Sequence, residues 1–348
     1  KRLVKNNVHW VGKVDWELLR EVTRRSVDFL DDVIDRSKFP LDQIDEMVKA
    51  NRKIGLGVMG WADLLYQLNI PYSSDQAVNL AGELMEFIDF EAKQRSVELA
   101  EEKGSFPNFP GSIYSTRHLS RKTKLKDWDA LGKDIAEKGI RNATLTTIAP
   151  TGTISMILDT SSGIEPQFSL VYVKNVMDGD KLLYVNKWFR RALEEAGLHS
   201  QELLEKVAQA GSIADIEEIP AAIRDIFLTA HDISPEWHIR MQAAFQQYTD
   251  NAVSKTINFP NSATVEDIRI AYELAYQLGC KGLTVYRDGS RENQVLCSGS
   301  SPQSSERKVA PRSRPEVTHG VTQRLETGCG HMYVTINTDE YGACEVFV

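Results

Sequence analysis

The run from Arg141 to Ser155 (RNATLTTIAPTGTIS) passes from a β-branched segment into a small, hydroxyl-rich turn. Thr144, Thr146 and Ile148 favour a buried strand, Pro150 stops it, and Gly152 lets the backbone approach a ligand where a helix begins. Backbone N–H groups at a helix start have no intrahelical partner, and the helix dipole favours negative charge there. With the hydroxyls of Thr151, Thr153 and Ser155 alongside, such a turn suits a phosphate. The plainer reading is an ordinary strand-to-helix turn in which a Thr or Ser caps the helix.

The surrounding chain repeats this alternation. From Asp15 to Asp35, apolar Leu19, Val22, Phe29, Leu30 and Val33 fall at helical spacing with Asp15 placed as N-cap. A longer helix starts at or beside Ser74 and stops at Gly104, where glycine suits a helix C-terminus. Ala62 to Leu68 also has a helical pattern, and Lys181 to Ala230 reads as helices on the outside of a sheet, Leu182 to Ala196 most clearly. Helices alternating with short strands predict an α/β architecture with a largely parallel sheet or barrel.

With 348 residues, 42% hydrophobic and 26% charged, the chain can bury a large core. A net charge of −8 argues against general nucleic-acid binding, though it leaves room for a local basic pocket. No apolar run reaches membrane-spanning length and no signal peptide is visible, so a cytoplasmic location is expected. The four cysteines, Cys280, Cys297, Cys329 and Cys344, include no CxxC pair, which argues against structural disulfides. The chain opens at Lys1 and breaks off in the strand-like Glu345-Val346-Phe347-Val348, and reads as a piece of something longer.

Three further stretches carry chemistry. Gly55, Gly57 and Gly60 spell GxGxxG, with Asp75 spaced like a ribose-binding acid, but Asn51-Arg52-Lys53-Ile54 is too polar and short for a buried first strand. Close packing of a strand on a helix is the stronger explanation of these glycines. Pro235 to Pro260 reads as a helix with His238, Met241, Gln242 and Phe245 on one side, then a strand. In that strand the polar Asn251, Ser254, Lys255 and Asn258 fit either a lined pocket or an edge with one solvated face. Gly279 to Arg291 reads as a strand running into a turn at Asp288-Gly289. After Leu296 the composition turns to Ser, Pro and basic residues, a linker over 297–320. Beyond it, 321–348 reads as a hairpin in which Cys329, His331 and Cys344 are candidate zinc ligands if strand pairing brings them together, although they lack CxxC spacing.

In this order, RKIGLGVMGWADLL, NATLTTIAPTGTISMILDTSSGIEPQF, PEWHIRMQAAFQQYTDNAVSKTINFP and GCKGLTVYRDGSR resemble the C-terminal half of the catalytic subunit of adenosylcobalamin-dependent (class II) ribonucleotide reductases. The resemblance covers nearly all of 1–296. The terminal TGCGHMYVTINTDEYGACEVFV resembles the start of the small cysteine-containing domain that follows the barrel in that family. What it implies is the C-terminal part of a ten-stranded α/β barrel with a small β-containing appendage. The implied activity is reduction of a ribonucleoside di- or triphosphate at the 2′ carbon, begun by cobalt–carbon homolysis and carried by a cysteine thiyl radical.

By that resemblance, Pro150, Thr151, Gly152, Thr153, Ile154 and Ser155 form the substrate-phosphate turn. Gly55, Gly57, Gly60, Gly163 and Glu165 line the active site, Ser161 to Pro166 packing beside it. Val253, Ser254, Lys255 and Asn258 lie in a late strand near adenosylcobalamin. The family's Asn-x-Cys-x-Glu segment, which carries the radical cysteine and its acid partner, has no counterpart here, so the resemblance assigns this chain no catalytic residue and no metal ligand. It implies a catalytically silent fragment that needs an N-terminal half on another chain, a ribonucleotide substrate, a dithiol reductant and a homodimer of the complete enzyme. A dinucleotide-dependent oxidoreductase and a non-catalytic nucleotide-binding partner protein are the alternatives.

Overall fold

The computed structural model describes residues 4–5, 13–116, 123, 126–175, 181–290, 318–327, 330–339 and 342–347. The chain divides into a large unit, residues 1–301, and a small one, residues 302–348.

The large unit is organised around parallel segments. Ile54 N donates to Thr144 O (3.0 Å) and Leu56 N to Leu145 O (2.7 Å), with Leu56 and Thr146 in a parallel bridge. On the other side Ser254 N donates to Ile148 O (2.8 Å), and Ile148 bridges Val253 in parallel. The same chain then continues into a strand, Thr256–Phe259, that pairs in parallel with Thr284–Arg287. Segments 54–57, 144–148, 251–259 and 284–287 thus stand side by side with one polarity. Among the described residues they form an open row and not a closed barrel.

Strands β1 (Val4–Lys5) and β2 (Lys13–Val14) pair antiparallel, as do β3 (Val171–Asn175) and β4 (Lys181–Val185); β5 and β6 are the two parallel strands just given. Helices fill the intervals: α1 Trp16–Arg36, α2 Asp42–Asn51, α3 Trp61–Leu68, α4 Asp75–Lys103, α5 Ile113–Thr116, α6 Trp128–Lys138 and α7 Gly152–Ile157. They continue with α8 Lys187–Glu195, α9 Gln201–Ala210, α10 Ala221–Arg224, α11 Pro235–Gln246 and α12 Val265–Gln277.

The expected caps are present. The Asp15 carboxylate accepts from Leu18 N at the start of α1, Ser74 Oγ accepts from Ala77 N at the start of α4, and Gly104 ends α4 at φ +84°. Helix α4 packs against α1, α6 and α11, which is why it buries residues on several sides. Its buried charges are paired: Glu86 accepts from Trp128 Nε1 (2.9 Å), and Lys93 reaches both Asp89 and Asp250. Asp250 in turn accepts from Leu145 N (2.8 Å), so this network ties α4 to the row of segments.

Leu182 to Ala196 departs from the sequence reading. The helix expected over Leu182 to Ala196 is a strand up to Val185, paired antiparallel with Val171–Asn175, followed by the shorter α8. Asn186 sets the boundary, its side chain accepting from Trp188 N and Phe189 N. Tyr172 and Tyr184 stack across the hairpin at 4.8 Å, a cross-strand pair that outweighs the helical spacing of Leu182 and Leu183.

Gly55 and Gly57 pack closely, but against the neighbouring parallel segment and not, as read from the sequence, against a helix. A Cβ on Gly57 would lie 2.1 Å from Thr147 O and one on Gly55 2.8 Å from Thr147 Cγ2, so these residues let the 54–57 segment seat against the next one. Asp75 opens α4 and pairs with Arg240.

The small unit is an antiparallel sheet of β7 (His319–Thr327), β8 (Gly330–Asp339) and β9 (Gly342–Phe347), with an irregularity at Asn337/Thr338. Strand β7 begins inside the stretch read as linker. Among the described residues no helix is long and apolar enough to cross a membrane.

Candidate functional site

The hydroxyl-rich turn stands at the carboxyl end of the 144–148 segment, the end at which open α/β folds gather their ligands. Thr151 takes a left-handed conformation (φ +52°) and its carbonyl accepts from Ser155 N (2.9 Å), the first turn of α7. The amides of Gly152, Thr153 and Ile154 precede that bond. All three residues are exposed, as is Pro150. The hydroxyls divide differently. Thr151 Oγ1 accepts from Gly163 N (2.7 Å), and buried Ser155 Oγ donates to Gly152 O (3.0 Å) and lies 2.8 Å from Ser162 Oγ. Of the turn's hydroxyl residues only Thr153 is exposed, and its exposed neighbours Gly152 and Ile154 carry no polar side chain.

The far end of this loop is fixed residue by residue. Gly60 N donates to Ser161 O (2.7 Å), Trp61 N to Gly163 O (3.4 Å) and the buried Tyr72 hydroxyl to Ile164 O (2.7 Å). Gly163 at φ +45° turns the chain, and a Cβ there would approach Ala149 O to 3.1 Å. Glu165 follows. One carboxylate oxygen accepts from Thr256 N (2.6 Å) and the other from Lys255 Nζ (2.5 Å).

Lys255 is wholly enclosed. Its Nζ also donates to Thr256 O (2.7 Å) and meets His238 Nδ1 at 2.8 Å. The opposite nitrogen, Nε2, lies 3.1 Å from Ala230 O, which can only accept, so Nε2 carries the proton and Nδ1 accepts from Lys255. Three acceptors thus match the three protons of an ammonium. Burial nevertheless lowers the Lys255 pKa, with Glu165 opposing the shift. The His238 pKa is pushed well below its usual value, first by burial and then by the Lys255 charge. Burial followed by the Glu165 charge raises the nearby Tyr72 phenol.

A histidine held neutral makes the fold acid-sensitive. The unfolded chain takes up a proton near pH 6.5, and the folded chain refuses it until a much lower pH. Stability is therefore full above that value and falls as the pH drops, by about 1.4 kcal/mol per pH unit until the folded pKa is reached. Urea unfolding from pH 7.5 to 5 is expected to show this slope, and His238→Gln to flatten it. A wild-type profile without any decline below pH 6.5 contradicts the assignment.

The segment after this cluster alternates. Val253, Lys255, Ile257 and Phe259 are buried, the last two against Ile239 of α11 and Ala271 and Ala275 of α12, while Ser254, Thr256 and Asn258 are half-buried on the other face. Among the residues read as cofactor-lining, Ser254 and Asn258 therefore lie on the more open face, and Val253 and Lys255 do not. The sequence missed His238 as a partner of this site, although a lysine placed among the alternating apolar residues 253, 257 and 259 signals a buried counter-charge.

Half-buried Cys280 sits between α12 and β6, its thiol pushed up to about 11 by burial, which suits an inert cysteine. Cys297, Cys329 and the side chain of Cys344 lie outside the described residues, so of the three candidate zinc ligands in the hairpin only His331 is placed, close to Arg324.

A family model for the ribonucleotide reductase barrel domain matches residues 2–286, and the chain belongs to that family. It is 46% identical over 289 residues to a vitamin B12-dependent ribonucleoside-diphosphate reductase of Thermoplasma acidophilum, covering 83% of this chain and 35% of that protein. A reductase of the same description from Mycobacterium tuberculosis (strain CDC 1551 / Oshkosh) is 46% identical over 287 residues, 82% of this chain and 38% of the relative. The chain thus spans little more than a third of the length of these curated relatives. Among solved structures, the class Id ribonucleotide reductase alpha subunit of Actinobacillus ureae superposes with a TM-score of 0.62 at 26% identity, covering 78% of this chain and 46% of that one.

Proposed function

We propose that this chain supplies the substrate-phosphate turn and part of the barrel wall of a vitamin B12-dependent ribonucleoside-diphosphate reductase. The observation that carries this reading is the exposed helix start from Gly152 to Ile154 at the carboxyl end of a parallel segment, in a chain 46% identical to reductases of that description. Amides at a helix start bind anionic oxygens through direct hydrogen bonds and the local dipole. The 150–155 turn holds the diphosphate, the Gly55 to Gly60 stretch and the loop at Gly163 and Glu165 wall the mouth, and the row extends into a ten-stranded barrel with the N-terminal half of the reductase.

Ser254 and Asn258, half-buried and polar on the open face of β5 and the segment before it, fit the side facing a cofactor, while Lys255 and Val253 support them from the closed side. Adenosylcobalamin, when bound, supplies the radical that starts the reaction. This chain's own residues bind and orient the substrate. The cysteine that becomes the thiyl radical lies outside it, since no Asn-x-Cys-x-Glu segment occurs and the Cys280 thiol is half-buried with a raised pKa. A dithiol reductant, a cytoplasmic location and a homodimer of the complete enzyme go with this reading.

The test is reconstitution. The purified chain, given a ribonucleoside diphosphate, adenosylcobalamin and a dithiol, is expected to form no deoxynucleotide, and to support its formation once the N-terminal half of a reductase is added. Turnover by the chain alone overturns the assignment of the radical cysteine elsewhere.

A further inference from the structure

We infer that Lys255 is a positioning residue for the 150–165 loop, acting through Glu165 as a buried clamp that holds the phosphate turn in its binding shape. The inference rests on the reading of that turn as a phosphate site. Its geometric basis is the way the loop is closed. Pro150 to Glu165 leaves the 144–148 segment and returns beside β5, and its two ends are joined by Thr151 Oγ1 accepting from Gly163 N. The return end is then anchored on the β5 side by Glu165, one oxygen on Thr256 N and the other on Lys255 Nζ. Lys255 is in turn locked by His238 on α11, whose tautomer is set by Ala230 O.

A fully enclosed lysine is an expensive way to fill space. Removing a charge pair from water is costly, and apolar residues of similar volume often hold a fold as well or better. What an apolar side chain cannot do is fix the direction of a carboxylate. With Lys255 in place, Glu165 has one arrangement that serves both its oxygens. Gly163, two residues before it, then donates to Thr151, whose carbonyl starts α7. A short chain of hydrogen bonds and adjoining backbone thus leads from Lys255 through Glu165, Gly163 and Thr151 to the first turn of α7. The charged and titratable groups around it are Glu165 from the loop, His238 from α11, and His231 and Tyr72 from the neighbouring connections.

Two measurements on the purified chain separate this clamp from mere packing, using Lys255→Met and Glu165→Gln, the latter retaining an acceptor for Thr256 N at a partly exposed position. Hydrogen exchange at the amides of Ser155, Gly163 and Glu165 is expected to quicken at least tenfold in both variants, with the core amides of α4 unchanged. Affinity for a ribonucleoside diphosphate is expected to fall about tenfold in both, with affinity for the parent nucleoside unmoved, and the double variant is expected to be no weaker than either single one. Unchanged loop exchange in a folded Glu165→Gln variant overturns the clamp. Should wild-type chain bind the diphosphate no better than the nucleoside, the phosphate reading fails, and loop exchange alone then decides the clamp. If Lys255→Met does not fold, the Glu165→Gln result decides.

Discussion

Gly57→Ala is expected to destabilise the chain by ~3 kcal/mol or more, the upper end of what overpacking a filled interior does. The added methyl carbon would stand 2.1 Å from the carbonyl oxygen of Thr147 and 3.2 Å from its carbon, atoms of a backbone that is itself hydrogen-bonded to Leu56 and flanked by the 251–254 segment. No flexible side chain is available to give way. Relief requires the 54–57 segment to separate from its neighbour, which breaks the first pairing of the row and moves the mouth of the site with it. Gly82→Ala is the matched control. Gly82 lies inside α4, a methyl added there would meet nothing within 4 Å, and alanine is expected to stabilise by about 0.5–1 kcal/mol. Urea midpoints of the two variants moving in the same direction would contradict the steric argument.

The second large effect is at Asp31. This carboxylate, fully buried in α1, accepts from Arg52 Nε (2.9 Å) and Nη2 (2.8 Å) and from Asn142 Nδ2 (3.0 Å), with Arg141 Nε at 3.3 Å. Arg52 is itself buried and occupies the left-handed C-cap of α2 at φ +45°, immediately before the 54–57 segment. Asp31→Ala leaves that guanidinium with the partly exposed Asp35 and the backbone carbonyl of residue 31, and strips Asn142 of an acceptor. Breaking a buried pair from one side costs about 3–5 kcal/mol. Asp32→Ala removes only an exposed pair with Lys103 (2.8 Å) and is expected to cost under ~1 kcal/mol. Thermal unfolding of both variants checks the contrast, and equal losses would contradict it.

Local chemistry made much of this fold readable in the sequence. Asp15, Ser74 and Gly104 cap the helices they were expected to cap, because a side-chain acceptor or a left-handed glycine acts on neighbours three or four residues away. The turn after Ile148 was legible for the same reason: proline, glycine and threonine limit the backbone directly. The β3–β4 hairpin was not, since Leu182, Leu183 and Val185 also fit a helix face and only pairing across the hairpin settles the matter. The site divides along the same line. Gly163 and Glu165 were drawn in by resemblance. The joining of Glu165 to Lys255 and His238 depends on three connections meeting in space, and its one trace in the sequence is a cation within the buried alternation of Val253, Ile257 and Phe259.

Strand β6 is bonded to β5 along one side, and among the described residues no third strand joins it. Its other margin therefore offers a ladder of amide and carbonyl groups at the spacing a fifth parallel segment needs. Such a margin is adhesive: it recruits whichever extended peptide arrives first, whether the rightful neighbour or another molecule of the same kind. On the reading proposed above, solubility during isolation and correct assembly with the N-terminal half are consequently two outcomes of one competition.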